Sequence, residues 1–160
     1  MEGDDEVTDQ TDLQAYLRRD ALKDLVIEYW RDVDANDAAR ALDFYTEDCL
    51  YLMCGHRMRG HADIAAYYEH RRRRGKPRLV RHLVSNLRAH ADHPDRGWVE
   101  GSMTVYADDG APVLPAAPPI LVADIAAQCL RGADGRWRFQ TFTIAPLFMG
   151  GVELVVPPSS

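Results

Sequence analysis

The sequence predicts one α+β domain in which helices come first and a run of antiparallel strands follows. Apolar residues recur at helical spacing in the first part of the chain, whereas short β-rich runs alternate with turn signals from Arg78 onward. A length of 160 residues fits a single domain. Helices followed by strands indicate helices that pack on one face of a curved sheet.

The first part of the chain predicts three helices. Asn36 and Asp37 indicate a stop and a restart, so a second helix is expected to begin at Asp37 and to end near residues 46–48. After a short strand at 49–53, Gly60 opens a third helix, which ends at 75–77. The first helix covers residues 13–33, because apolar side chains recur there at i, i+4 spacing: Leu13, Leu17, Ala21, Leu25, Tyr29 and Val33.

The second part of the chain predicts a meander of four strands. The strand-like runs cover residues 78–90, 97–107, 120–131 and 136–146, with turn signals at 108–110 and 133–135. Residues 111–119 contain four prolines, too many for the interior of a strand. This segment is therefore expected to form a long loop at the rim of a cavity.

Charge and composition indicate where the domain begins and ends and which classes of partner are disfavoured. Residues 1–12 hold six acids and no base, and predict a disordered acidic leader before a domain at 13–149 and a loose tail at 150–160. The remaining chain has 19 acids and 19 bases, which argues against nucleic acid as a partner. No apolar run reaches the ~20 residues of a membrane span, and no secretory signal is visible, so a cytoplasmic location is expected. The odd number of cysteines (Cys49, Cys54 and Cys129), with no CxxC, predicts buried thiols.

Four stretches resemble the nuclear transport factor 2-like superfamily, in particular its SnoaL-like branch with scytalone dehydratase and bile-acid dehydratase type enzymes. They are residues 29–37 (YWRDVDAND), 44–48 (FYTED), 60–64 (GHADI) and 81–86 (RHLVSN). The resemblance implies a cone of curved antiparallel sheet closed by three N-terminal helices, a cystatin-like α+β barrel that is often dimeric. It also implies an internal pocket for a small hydrophobic molecule, with no metal or organic cofactor.

The resemblance implies that three residues of this chain are catalytic: Tyr29, Asp34 and His82. A histidine with an ordinary pKa of ~6.5 can remove an α-proton and then protonate a leaving hydroxyl. A carboxylate can hold the imidazole in one tautomer, and a tyrosine hydroxyl can stabilise an enolate. Helical geometry places Tyr29 and Asp34 about 140° apart around the axis, so the resemblance alone implies that they converge.

Five further residues are predicted to contact the substrate. Strand alternation places Val84 and Asn86 on the same face as His82. The later strands contribute Tyr106, Gln128 and Phe142. Residues 140–144 of the last strand include no Arg or second His of the kind that some relatives use, which leaves cyclisation and isomerisation open beside dehydration. The basic run at 70–74 is interpreted as a solvated helix end that complements the helix dipole.

The resulting hypothesis is a cofactor-independent acid–base enzyme of the dehydratase or cyclase type. Its substrate is expected to be a polyketide-, steroid- or terpenoid-like molecule of secondary metabolism, bound by a homodimer or higher homo-oligomer. One alternative is a ketosteroid-isomerase-like enzyme with a carboxylate base. Another is a non-catalytic pocket or assembly module, like the small subunits of ring-hydroxylating dioxygenases.

Overall fold

The computed structural model describes residues 3–157 and confirms the α+β class. Its strands form one curved six-stranded sheet with the order β2-β1-β6-β5-β4-β3, so β2 and β3 are the two edge strands. The elements in chain order are α1 (Gly3–Ala35), a 3₁₀ helix (Ala41–Phe44), β1 (Tyr45–Met53), β2 (His56–Arg59), α2 (Gly60–Arg72), β3 (Arg78–His90), β4 (Arg96–Asp109), β5 (Leu121–Arg131) and β6 (Trp137–Met149).

The described residues form two α-helices, so the prediction of three helices is wrong in its count. Asp37 and Ala38 have φ values of 52° and 56°, in the left-handed region, where a right-handed helix cannot restart. The buried carboxylate of Asp32 holds this turn by accepting hydrogen bonds from the Arg40 backbone N–H at 2.9 Å and the Asn36 side chain at 3.1 Å. The chain then makes only four residues of 3₁₀ helix before β1 begins.

The sheet is mixed rather than purely antiparallel, because β1 runs parallel to β6. The chain leaves β1 through β2 and α2 and forms three other strands before β6 returns beside β1. Pairing of Tyr51 with Phe142 stacks their rings at a centroid distance of 5.5 Å. This contact places an aromatic core at the centre of the sheet.

Helix α1 begins at Gly3, ten residues before the predicted start at Leu13. Residues 4–12, predicted as part of a disordered leader, contain no proline or glycine that would end a helix. Their disorder in solution stays a prediction. Residues 1–2 of the predicted leader and 158–160 of the predicted tail lie outside the described residues.

Helix α1 packs mainly on β3 and also contacts β4 and β6. Its buried face includes Leu22, Val26 and Tyr29, none of which retains measurable exposure. Burial of such apolar side chains is the main contribution to the stability of the domain. In the described part of the chain, no helix combines the length and the apolar character that a bilayer span requires.

The segment after β6 packs back onto the domain, although the sequence predicted a loose tail. Val152, Leu154 and Val155 contact the core. The Tyr67 hydroxyl donates to the Val155 carbonyl at 3.1 Å, and Arg78 donates to the Glu153 carbonyl at 3.1 Å. These bonds tie residues 152–155 (hereafter the C-terminal strap) to α2 and β3.

Candidate functional site

Asp34 and His82 form a doubly bonded pair between α1 and the edge strand β3. The His82 backbone N–H donates to Asp34 Oδ2 at 2.8 Å, and His82 Nδ1 lies 2.6 Å from Asp34 Oδ1. The backbone N–H is available because β3 has β4 on one side only. Since an ionised carboxylate only accepts, Nδ1 carries the hydrogen and Nε2 keeps its lone pair. The pair predicted by the family resemblance is therefore assembled.

Trp30 packs against one face of the His82 imidazole. Its ring stacks on His82 with a centroid distance of 4.1 Å and an interplanar angle of 19°. Trp30 and Asp34 are four residues apart on α1, a spacing that places both on one helix face. One turn of helix therefore supplies both the carboxylate and the stacking ring that orient His82.

Burial lowers the pKa of His82 below its usual value of 6.5. The hydrogen bond and the charge of Asp34 act in the opposite direction, and the charge of Arg71 lowers the pKa further. The imidazole is therefore neutral at pH 7 and able to accept a proton. Its side chain retains 10 % exposure, which leaves an approach to the ring.

His82 lines a cavity of about 50 Å³ enclosed by α1, α2, the sheet and the C-terminal strap. This volume holds a few water molecules and is smaller than the ~150 Å³ that accommodates a benzene ring. Beside it lies a second space of about 290 Å³, lined by Asp34 and by basic residues at the end of α2 and after it. Four residues line both spaces: Arg71, Arg78, Val80 and Val155. They form the boundary between the two spaces.

The structure does not bring Tyr29 to Asp34 and His82. Its hydroxyl is hydrogen-bonded to the hydroxyl of Tyr68. Its ring is fully buried among aromatic side chains, for example Phe139, whose ring centroid lies 5.6 Å from that of Tyr29. This agrees with the helical geometry, which directs Tyr29 away from Asp34. Tyr68 itself lines the cavity, and burial raises the pKa of its hydroxyl well above the usual value. Tyr68 is thus a protonated donor at the wall.

The five predicted substrate contacts do not line the cavity. Asn86 is exposed, because its φ of 54° and a register shift between Ser85 and Arg88 break the strand alternation. Tyr106 is 41 % exposed, and Gln128 lines an open depression on the outer face of the sheet. Phe142 is buried in the aromatic core, and Val84 packs against the core beside β4.

The sequence interpretation missed the residues that α2 and the strap contribute. Arg71 belongs to the basic run interpreted as solvated, yet it lines the cavity beside Tyr67 and Tyr68. An arginine one turn after two apolar-face tyrosines at 67 and 68 was the available signal, since i, i+3 and i, i+4 neighbours share a face. Leu154 and Val155 carried no such signal, because their contacts are remote in sequence.

A family comparison assigns this architecture. The model of the SnoaL-like domain matches residues 14–143. The chain belongs to the SnoaL-like domain family. A sequence comparison with curated proteins finds no significant match.

Several solved structures share the fold of this SnoaL-like domain. A protein of Novosphingobium aromaticivorans assigned as the beta subunit of an aromatic-ring-hydroxylating dioxygenase has a TM-score of 0.73 and 15 % identity, covering 90 % of this chain and 98 % of its own. A protein of the same organism assigned as a scytalone dehydratase has a TM-score of 0.71 and 17 % identity, covering 94 % of this chain and 97 % of its own. ActVI-ORFA of Streptomyces coelicolor has a TM-score of 0.68 and 15 % identity, covering 79 % of this chain and 95 % of its own. Identities this low establish the shared fold alone.

Proposed function

We propose that this SnoaL-like domain is a cofactor-independent acid–base enzyme that removes a proton next to a carbonyl group of a hydrophobic small molecule. The observation that carries the proposal is the Asp34–His82 pair at the cavity wall. Asp34 holds Nδ1–H, which leaves Nε2 as the basic atom. The mainly apolar surroundings strengthen the electrostatic interactions of such a pair.

The proposed reaction uses His82 first as base and then as acid. Nε2 takes the α-proton, the negative charge of Asp34 stabilises the imidazolium, and the electron pair moves onto the carbonyl oxygen as an enolate. In a dehydration, the imidazolium returns the proton to the departing β-hydroxyl, so that water leaves and a C=C bond forms. Tyr68, bonded to Tyr29, is the hydroxyl that we propose donates to the enolate oxygen.

The same base supports cyclisation or a double-bond shift, in which the enolate carbon attacks an electrophile or is reprotonated. We propose a polyketide-, steroid- or terpenoid-like substrate of secondary metabolism, because the lining is dominated by aliphatic and aromatic side chains. A carboxylate base of the ketosteroid-isomerase type has less support. Both oxygens of Asp34 already accept hydrogen bonds from His82.

Proton exchange in D₂O tests the proposal without knowledge of the natural substrate. We expect the wild-type protein to accelerate α-hydrogen exchange of 2-tetralone, followed by NMR, and H82Q to lose about 10²–10⁴-fold of this rate. H90Q is a matched control, because His90 stacks on Trp98 at 4.0 Å on the outer face, just as His82 stacks on Trp30 inside. An H82Q rate equal to wild type, or a wild-type rate equal to buffer, would refute the base assignment.

A non-catalytic assembly module is the second candidate. The small cavity and the exposed apolar run Leu147, Phe148 and Met149 at the end of β6 favour it. Under this hypothesis the wild-type protein shows no exchange with any ketone of the 2-tetralone type, while Phe148→Asp abolishes a stable association with a partner subunit. Exchange that depends on His82 would exclude a purely structural role.

A further inference from the structure

Arg71 differs from the other arginines at the end of α2. Arg72, Arg73 and Arg74 each lie within 4.0 Å of an acidic side chain. Among residues 3–157, no carboxylate forms an ion pair with Arg71. Its guanidinium instead lies 5.4 Å from the Tyr68 ring centroid and 6.0 Å from that of Tyr67. Cation–π contacts offset only part of the cost of removing this charge from water.

The cavity that Arg71 lines contains cationic side chains that no carboxylate in the lining matches. Its lining contains Arg71 and Arg78 but no Asp or Glu. Arg78 is already engaged with Asp109 and the Glu153 carbonyl. Trp30, also in the lining, carries a buried indole N–H that has no acceptor among the described residues. A buried donor without an acceptor and a half-buried cation that has no ion-pair partner among the described residues both favour a ligand that supplies negative oxygen atoms.

The cavity of about 50 Å³ is too small for such a ligand alone, but Arg71 also lines the adjoining space of about 290 Å³. We infer that the two spaces together bind an apolar molecule through its carboxylate group, and that Arg71 holds this group. The planar guanidinium matches the two carboxylate oxygens with paired hydrogen bonds, whereas a neutral carbonyl would leave the charge uncompensated. The rest of the ligand would contact an apolar wall, which consists of Val80, Met103, Val105, Ile120 and Ile144. The inference deepens the proposed function by naming the substrate class, an apolar carboxylic acid, and it rests on that function only for the reaction.

Binding of 2-naphthoate and 2-naphthamide, measured by calorimetry at pH 7.5, tests the inference. The two probes share their shape and differ in charge. We expect the wild-type protein to bind the carboxylate at least about tenfold more tightly than the amide. R71Q should lose this preference, and R71K should retain part of it, because lysine keeps the charge without the paired geometry. The control R73Q changes an exposed arginine paired with Glu69 and should leave the preference intact.

Equal affinities of the two probes for the wild-type protein, or no binding of 2-naphthoate, would overturn the inference without any variant. A preference that survives in R71Q would also overturn it, since Arg74, Lys76 or Arg78 would then hold the anion. The outcome is separable from the proposed function, because binding requires no proton transfer. H82Q should retain the carboxylate preference while losing α-hydrogen exchange, and failure of either result affects only its own proposal.

Discussion

At the scale of single residues, burial and the neighbouring Asp34 act in opposite directions on the pKa of His82. Burial lowers the pKa of His82, whereas the hydrogen bond from Nδ1 to Asp34 raises it. We expect NMR titration to place the pKa of His82 below 6.5, and D34N to lower it further, because the negative charge is lost. A pKa of His82 at or above 6.5, or a rise in D34N, would contradict this account.

The same pKa shift predicts how stability and activity depend on pH. Between the lowered pKa of folded His82 and 6.5, the unfolded chain binds more protons than the folded one. This group therefore makes the free energy of unfolding fall as pH decreases through that window. Proton exchange should be constant above pH 6.5 and decline as Nε2 becomes protonated. Urea unfolding of wild type and H82Q between pH 5 and 8 measures this contribution.

Tyr29 is a positioning residue for Tyr68 in this structure. Its hydroxyl contacts Tyr68 rather than the cavity. We expect Y29F to lower the free energy of unfolding by about 1 kcal/mol, because Tyr68 loses a buried hydrogen-bond partner. Proton exchange should decrease much less than in H82Q. Y16F changes an exposed tyrosine of the same helix and should alter neither quantity.

At the scale of elements, Asp32 determines how α1 ends. Its buried carboxylate accepts two hydrogen bonds across the turn that follows the helix. We expect D32A to destabilise the domain by roughly 2 kcal/mol, because the donors of this turn lose a charged acceptor. D24A, on the exposed face of α1, is the control and should change stability by less than about 0.5 kcal/mol. Equal effects of the two variants would refute the role of Asp32.

We expect the C-terminal strap to limit access to the cavity. Leu154 and Val155 line it, and they belong to no helix or strand. We expect the double variant L154A/V155A to increase labelling of the cavity-lining Cys54 by a thiol reagent about tenfold, which corresponds to a loss of ~1.4 kcal/mol of closure free energy. V156A, which does not line the cavity, should label like wild type. Unchanged labelling of L154A/V155A would show that access does not pass the strap.

At the scale of the whole molecule, the end of β6 presents an exposed apolar run. Phe148 is 71 % exposed and is flanked by Leu147 and Met149, which are 55 % and 60 % exposed. Such clusters are typical of protein interfaces. We expect sedimentation analysis to find a homodimer that F148D converts to monomer. Val113 is 99 % exposed in the proline-rich loop, so V113D introduces the same charge as a control and should leave the dimer intact.

Local signals in the sequence were sufficient for much of the fold. The strand runs from 78 onward predicted β3–β6 with small errors at their ends, and the helical spacing before residue 36 predicted α1 except for its first ten residues. Periodicity and turn residues act over short distances, which makes such predictions possible. The second predicted helix failed because the Asp32 side chain holds a left-handed turn at 37–38, a contact that spacing alone does not reveal. The resemblance supplied the residue types of the site.

By itself, the sequence determined the α+β class, the runs of α1 and of β3–β6 and the membership of the family, and the resemblance supplied the pairing of an aspartate with a histidine. Only the tertiary structure decided that Trp30 and not Tyr29 faces His82, and that Arg71 and the strap line the cavity. Each of these contacts joins segments far apart in the chain, such as Trp30 in α1 and His82 in β3. Their geometry follows from the direction of β1, the edge position of β3 and the rotation of α1 on the sheet, which residue patterns within one segment do not specify.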